Sequence, residues 1–305
     1  MDLNLIIYND GFDLDKSIVK LIESCLKFDY KRIALAVQII GGGKDVKIPI
    51  PPTIKLRGDQ KNIKIYTRLT VQIGDSNSLF HLSKNENLKH YDILAIEPMN
   101  EKILNYLNGG NFEFDILTFS SINSSIVNMI KKANFSLPIS KGIGIEINYS
   151  NCLSSSSQRR QTIAFGQMLV DKTRSKNIIL SSGTSIATNI RSPHDVIYIG
   201  LLFGLQENQS KRSLYKNTET VIKHSELRRN IITSIIVIDD LIDNNNNDGG
   251  GDNNNDNIYD ELCAMDENLK TSKTSSSGIK RPQPSIETNS STIIKTIPEA
   301  KKQKT

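Results

Sequence analysis

The sequence predicts an α/β protein: a parallel sheet covered by helices and closed into a (β/α) barrel, followed by a disordered C-terminal tail. Three observations predict this. Seven strand-like segments alternate with helical ones over residues 1–242, and parallel strands need such crossovers. That length is close to the roughly 250 residues of a closed barrel. Two strands also divide into one apolar and one polar face, as strands do when helices cover one side and a lumen lies on the other. An open doubly wound sheet is the alternative.

Taken in order, LNLIIYN (3–9) reads as the first strand and DLDKSIVKLIESCLKF (13–28) as a helix, with a stripe at 14, 18, 21, 22 and 25. The further strands are RIALAVQI (32–39), IKIYTRLTVQI (63–73), ILAIEPM (93–99), FDILTFS (114–120), IGIEINYS (143–150) and NIILSSG (177–183). In the third strand Ile63, Ile65, Thr67, Leu69 and Val71 oppose Lys64, Tyr66, Arg68, Thr70 and Gln72. In the sixth, Ile143, Ile145 and Ile147 oppose Gly144, Glu146 and Asn148. Arg68 and Glu146 are thus expected to point inward, where buried charges need partners. Pairing is the expected role of Glu146, and catalysis is the alternative.

The rest of the body reads as helical. Ser192-Pro193-His194-Asp195 is a helix start: Ser192 caps, Pro193 takes the first helical position and Asp195 takes the capping-box position. VIYIGLLFGL (196–205) is apolar on nearly every side, which predicts a buried helix, and Asn217 is the expected cap of a final helix. After Asp243 the chain turns to NNNNDGGGDNNNDN (244–257) and then to Ser, Thr and Lys. Such a segment cannot offset its ordering entropy by burial, so 243–305 is expected to be a disordered tail on a body of residues 1–242. Its basic pieces IKRP (279–282) and AKKQK (300–304) are candidate nuclear-import signals.

Composition narrows the function. Hydrophobic residues make up 37% and charged residues 23%, ordinary for a globular chain, and there is no Trp for a ligand platform. The longest apolar runs are too short to span a bilayer, and the opening MDLNLIIYND lacks a basic n-region, which argues against a secretory signal. Cys25, Cys152 and Cys263 are scattered, so neither disulfides nor a Cys-based zinc site is expected. His81, His90, His194 and His224 form no HxH or HExxH pair, so no metal or other cofactor is predicted. His194 reads as a first-turn helix residue and His224 as a surface residue near a helix end. Gly41-Gly42-Gly43-Lys44 lacks the spacing of a P-loop, and GxSxG is absent. Ser181 and Ser182 end a strand with no base placed beside them, so local hydrogen bonding is their expected role, and no catalytic residue is predicted.

What remains is cationic. Residues 1–242 hold 30 of the 38 basic and 23 of the 33 acidic side chains, a net of +7 against +5 for the whole chain. A moderately basic body suits a nucleic-acid partner through phosphate neutralisation. Arg159 and Arg160 open the helix RQTIAFGQMLVDKTR, where cations oppose the helix dipole unless an anion or a carboxylate answers them. Arg174 and Lys176 close that helix, and Arg191 lies in the loop after the seventh strand. Lys211, Arg212, Arg228 and Arg229 lie in the terminal helical region. In a barrel Arg159, Arg160 and Arg191 share the C-terminal rim. All nine are candidate RNA-binding positions, of which Arg228-Arg229 also suits a helix C-terminus. Few aromatics are interleaved, which favours phosphate or shape contacts over base stacking.

These segments resemble a known family. RRQTIAFGQML, KNIILSSG and IRSPHDVIYIGLLFGL, preceded in order by TRLT (67–70), YDILAIEP (91–98) and KGIGIEINYS (141–150), are similar to the thirty-kilodalton-type protein subunit of ribonuclease P and RNase MRP. The similarity covers residues 1–230 and leaves out the tail. It implies a distorted TIM-like barrel of the PHP type without metal-dependent chemistry. It further implies a non-catalytic subunit of a ribonucleoprotein whose RNA removes the 5′ leader of precursor tRNA. Implied partners are ribonuclease P RNA, MRP RNA, precursor tRNA through the complex, a small RRM-like subunit and other ribonuclease P proteins, with no membrane. The implied location is nucleus and nucleolus, with a further role in rRNA processing. Arg159, Arg160 and Arg191 carry over as RNA-facing positions, while Ser181, Ser182, Pro193 and Asp195 match the same motif region. Gly183 departs from the family's usual Ala, and SKRSLYKN (210–217) is bulkier than its usual small residues. A PHP-type metal-dependent phosphoesterase is the competing reading.

Overall fold

The computed structural model describes residues 1–7, 14–41, 48–51, 63–120, 127–128 and 130–232. Seven strands run in the order β1 (Asp2–Ile6), β2 (Arg32–Ile40), β3 (Lys64–Ile73), β4 (Ile93–Pro98), β5 (Ile116–Leu117), β6 (Gly144–Asn148) and β7 (Ile178–Ser181). They form one parallel sheet in sequential order. The sheet curls until its edges meet: Ile6 N–H donates to Thr184 O (2.9 Å) and Gly183 N–H to Asn4 O (3.0 Å), just beyond β7. A nearly closed barrel thus replaces the alternative of an open sheet. The strands lie where the sequence places them, except that β5 keeps only two residues of the expected 114–120. Residues 42–47 and 52–62 and the expected tail at 243–305 lie outside the described residues.

The helices are α1 (Leu14–Lys27), α2 (Ser76–Ser83), α3 (Glu101–Asn108), α4 (Ser136–Lys141), α5 (Ser156–Thr173), α6 (Pro193–Leu202), α7 (Glu207–Leu214) and α8 (Lys216–Ile232). Outward strand residues such as Leu35, Leu69, Val71, Leu94, Ile145 and Leu180 join Ile18, Leu21, Phe165, Leu169 and Val196 in one apolar layer around the barrel. Burying this layer is the main stabilising term of the fold.

The inner face forms a second cluster. Leu3, Ala34, Tyr66, Ile93, Ala95, Ile116 and Ile179 line the lower lumen, and Val221 and Ile222 of α8 enter it from below. Gly144 makes the room: a Cβ there would lie 2.6 Å from Val221 Cγ2. The C-terminal helix is therefore a plug at the N-terminal end of the barrel. Asn217 does not cap it, contrary to expectation. Asn217 lies inside the first turn, and its Nδ2 donates to Ile178 O (2.7 Å), which ties the plug to the start of β7.

Two further expectations are corrected. The apolar run 196–205 is not buried throughout: Tyr198 is 63% and Leu202 52% exposed, because α6 packs through Val196, Ile197 and Gly200 alone among its buried positions. His224 is not a surface residue. Its Nδ1 lies 2.8 Å from Asp115 Oδ1, and the side chain is mostly buried.

Candidate nucleic-acid interface

The site begins with what fills the barrel. Arg68 and Glu146 point inward as predicted and are fully buried. Arg68 Nη1 and Nη2 donate to Glu146 Oε1 and Oε2 at 2.6 and 2.7 Å, a bidentate pair. Arg68 also donates to Leu3 O (2.8 Å) and Thr70 Oγ1 (3.0 Å). Glu146 Oε2 accepts from Asn4 Nδ2 (3.1 Å) and Thr118 Oγ1 (2.6 Å). Burial alone pushes the Glu146 carboxyl up. The Arg68 charge and the hydrogen bonds from Arg68 and Thr118 outweigh it and hold the carboxyl below its ordinary range. Small neighbours leave space for the guanidinium, since Ala36 stands beside Arg68 in register.

This arrangement decides the role of Glu146 in favour of pairing. The other serines and the helix start also serve the frame. Ser182 N–H donates to Asp2 Oδ1 (3.1 Å) and its hydroxyl to Asn4 O (3.2 Å), which fastens the barrel seam. Ser181 is buried beside them. Ser192 caps α6 by accepting from Asp195 N–H (3.2 Å) and donates to Asp195 Oδ2 (2.8 Å), with Pro193 in the first turn.

A PHP-type metal centre needs clustered His and carboxylate ligands. Among the described residues no three His, Cys, Asp or Glu side chains are grouped to hold an ion. The carboxylate near the mouth, Glu97, accepts from Gln72 Nε2 (2.9 Å) and Ser120 N–H (2.6 Å). The described residues thus do not fit such a centre. Cys152 is no nucleophile either, because burial pushes its thiol up to about 11.

The cations divide between the two ends of the barrel. Ser155 caps α5 by accepting from Gln158 N–H (3.2 Å), which makes Arg159 and Arg160 the fourth and fifth residues of a helix that starts at the C-terminal rim, rather than its opening residues. Arg159 Nε donates to Cys152 O (2.8 Å) in the loop after β6. Arg191, after β7, donates its backbone N–H to Tyr149 Oη (3.1 Å), and its carbonyl accepts from Tyr30 Oη (2.9 Å). Tyr149 and Cys152 belong to the same short loop, so Arg159 and Arg191 hang from one scaffold. Arg159, Arg160 and Arg191 thus follow β6 and β7 at the C-terminal rim, and Arg191 Nη1 donates to Thr188 O (2.8 Å) in its own loop.

Arg174 and Lys176 lie at the opposite end, in the turn from α5 into β7. Arg174, Ser175 and Asn177 all have φ between +54° and +59° there. Lys211 and Arg212 lie on α7, which leads into the plug, and Lys211 forms an ion pair with Glu207 (3.0 Å).

Arg228 and Arg229 are corrected. Arg228 is 5% exposed, and its Nη2 lies 2.9 Å from Asp115 Oδ2. Arg229 Nη1 lies 2.7 Å from Asp92 Oδ1. Both anchor α8 to the strand starts. A guanidinium held in a buried ion pair has no face left for phosphate, so Arg228 leaves the candidate interface. Sequence reasoning weighed only the helix C-terminus there and missed Asp92 and Asp115, which stand just before β4 and β5. Asp115 is the anchoring residue overlooked: it gathers His224, Arg228 and Leu94 N–H (2.8 Å). An acid directly ahead of an apolar strand is the signal that pointed to it.

Comparison with known proteins places this geometry. A family model described as RNase P subunit p30 matches residues 1–230. The chain is similar to a probable ribonuclease P protein subunit 3 of Schizosaccharomyces pombe, 32% identical over 235 residues, covering 77% of this chain and 97% of that protein. It is also similar to the ribonuclease P protein subunit p30 of Mus musculus, 28% identical over 228 residues, covering 72% and 84%. A chain in a cryo-EM structure of archaeal ribonuclease P with mature tRNA shares the fold at a TM-score of 0.52 and 14% identity, covering 83% of this chain and 97% of that one.

Proposed function

This chain belongs to the RNase P subunit p30 family, and from that premise we propose that it is a non-catalytic protein subunit of ribonuclease P. It supports removal of the 5′ leader of precursor tRNA by an RNA-based active site. The observation that carries the non-catalytic part is the lumen itself. Where a barrel hydrolase of the PHP type would gather metal ligands, this barrel closes a bidentate Arg68–Glu146 pair, with Asn4 and Thr118 also donating to the carboxylate. The rim patch of Arg159, Arg160 and Arg191 supplies positive charge and fixed donors for phosphate.

The finer reading rests on the sequence resemblance. It names MRP RNA as a second RNA, a small RRM-like subunit as direct protein partner, a role in rRNA processing, and residence in nucleus and nucleolus. The test is affinity purification of the full chain, followed by sequencing of bound RNA and a precursor-tRNA cleavage assay with magnesium. Expected are ribonuclease P RNA in the eluate and activity that micrococcal nuclease abolishes. Cleavage by the RNA-free chain refutes the non-catalytic role. Absence of ribonuclease P RNA from the eluate refutes the subunit assignment.

A further inference from the structure

We propose that α5 acts as a ruler for double-helical RNA, its outer face lying across the duplex with phosphates held at its two ends. This inference rests on the ribonuclease P reading and names the form of RNA that this helix meets. Positions 160, 164, 167 and 171 of α5 are all exposed, and their spacing puts them on one line along the helix. Arg174, the residue that ends the helix, extends that line and is exposed too. The opposite face carries Thr162, Phe165, Gly166, Leu169, Val170 and Thr173, all buried. Phe165 packs edge-on against Phe119 at 5.4 Å between ring centres, so the orientation of the outer line is fixed by the core.

The charge along that line is unusual in its placement. Arg160 and Arg174 stand at the ends, separated by about 21 Å at 1.5 Å per residue. Arg159 flanks the first and Lys176 the second. Neither Arg160, Arg174 nor Lys176 pairs with a carboxylate among the described residues. Between the ends lie Ala164, which is small, and Gln167, which is neutral and donates its Nε2 to Leu202 O (3.0 Å). The acid on the line, Asp171, has Lys172 Nζ 3.3 Å away. Cations therefore sit at two points, with Ala164, Gln167 and the Lys172-paired Asp171 between them, on a rigid support.

Rigidity selects the partner. Two cations at a fixed gap match phosphates at a fixed gap, which a duplex presents and a flexible single strand does not. Sequence-tolerant binding of single strands also needs exposed aromatic faces for stacking, and the aromatic residue of α5, Phe165, is buried. An A-form duplex has a wide, shallow minor groove bordered by two phosphate lines and lined with 2′-hydroxyls. Ala164 permits close approach over that groove, and the Gln167 side-chain carbonyl is an acceptor for a 2′-hydroxyl.

The test uses the full chain, a labelled RNA duplex of about 16 base pairs and the matching single strand, with anisotropy titrations across salt. The variants are Arg160→Ala, Arg174→Gly, the two combined, and Asp171→Asn. Glycine suits position 174 because φ is +55° there, so the melting temperature is expected to hold or rise and loss of fold is separated from loss of charge. Each single variant is expected to weaken duplex binding roughly threefold to tenfold and to lower the slope of log K against log salt by about 0.9. The double variant lowers it about twice as far, and Asp171→Asn tightens binding. Unchanged duplex affinity and slope in the double variant overturn the ruler, as does single-strand binding of equal strength and equal sensitivity to the variants. Capture of ribonuclease P RNA by the wild-type chain from cells reports separately on the subunit assignment. If that capture succeeds while the double variant binds duplex like wild type, the ruler alone fails.

Discussion

Replacing Glu146 by glutamine keeps the shape of the side chain and removes its charge, leaving Arg68 buried and without a counter-ion. Both groups are fully buried and joined by two short bonds. Breaking such a pair by removing one partner costs about 3–5 kcal/mol. That is a large share of the roughly 5–15 kcal/mol by which a domain is stable. With a urea dependence of about 2–3 kcal/mol per molar, the unfolding midpoint falls by roughly 1–2.5 M. The chain has no Trp, so far-UV circular dichroism is the appropriate signal. The double replacement Arg68→Met with Glu146→Leu is expected to recover at least half of the loss, because no charge is then left unanswered. The pH dependence has a definite sign. Glu146 is depressed in the folded state, so its contribution is complete above the ordinary glutamate value of about 4.3 and is lost as pH falls through the lower folded value. In wild type that loss appears on acid titration, and in Glu146→Gln this part of the acid limb is missing. A Glu146→Gln midpoint within about 0.3 M of wild type, a difference below about 1 kcal/mol, refutes the claim that the pair organises the lumen.

Three further expectations follow from the same geometry. Arg228→Ala strips Asp115 of its guanidinium partner and is expected to cost about 2–4 kcal/mol by urea titration, while leaving the salt dependence of RNA binding as in wild type. A lowered salt slope returns Arg228 to the RNA interface. Gly200→Ala places a Cβ 2.0 Å from Ser210 Oγ, a side chain held on Ile197 O, and is expected to lose about 1–3 kcal/mol. A wild-type melting curve contradicts the close approach of α6 and α7. Arg159→Ala with Arg160→Ala is expected to weaken binding of ribonuclease P RNA and to lower the salt slope by up to about 2, with the melting temperature near wild type. An unchanged slope rejects the C-terminal rim patch.

The barrel was legible because its signals are local and periodic. Period-two alternation in residues 63–73 and 143–148 separated a helix-facing side from a lumen side, and that alone placed Arg68 and Glu146 inside, paired as the need of buried charge demands. The cap at Ser192 was legible for the same reason, since its partner Asp195 is three residues away. What escaped depends on distant residues. His224 and Arg228 meet Asp115 across more than a hundred positions, and no spacing rule reports such a meeting. The exposure of Tyr198 and Leu202 escaped because a uniformly apolar run has no moment to say which side faces the core. The division of cations between two ends of the barrel was legible in part. Strand order assigned Arg159 and Arg191 to one rim, yet Arg174 and Lys176 entered the same candidate set without regard to the helix length between them.

The two ends of the barrel are anchored by different residues, and this bears on how a protein subunit serves an RNA enzyme. At the N-terminal end, α8 is pinned by Asn217, Arg228 and Arg229 to the starts of β7, β5 and β4, and apolar side chains of the same helix fill the lumen. Above it, the Arg68–Glu146 network ties β3 to β6 across the barrel, with Asn4 and Thr118 joining β1 and the end of β5. Four of the seven strand segments thus meet at one carboxylate. A barrel braced in this way transmits little deformation from one rim to the other, so the spacing of cations on its surface is set by the fold and not by the ligand. For a protein that supplies charge to a folded RNA, fixed spacing discriminates between RNA shapes in a way that a flexible basic segment cannot, since each phosphate contact is preorganised before association. The buried pair in the lumen is then the source of the interface's rigidity, which predicts that Glu146→Gln weakens discrimination between duplex and single-stranded RNA under conditions where the variant remains folded.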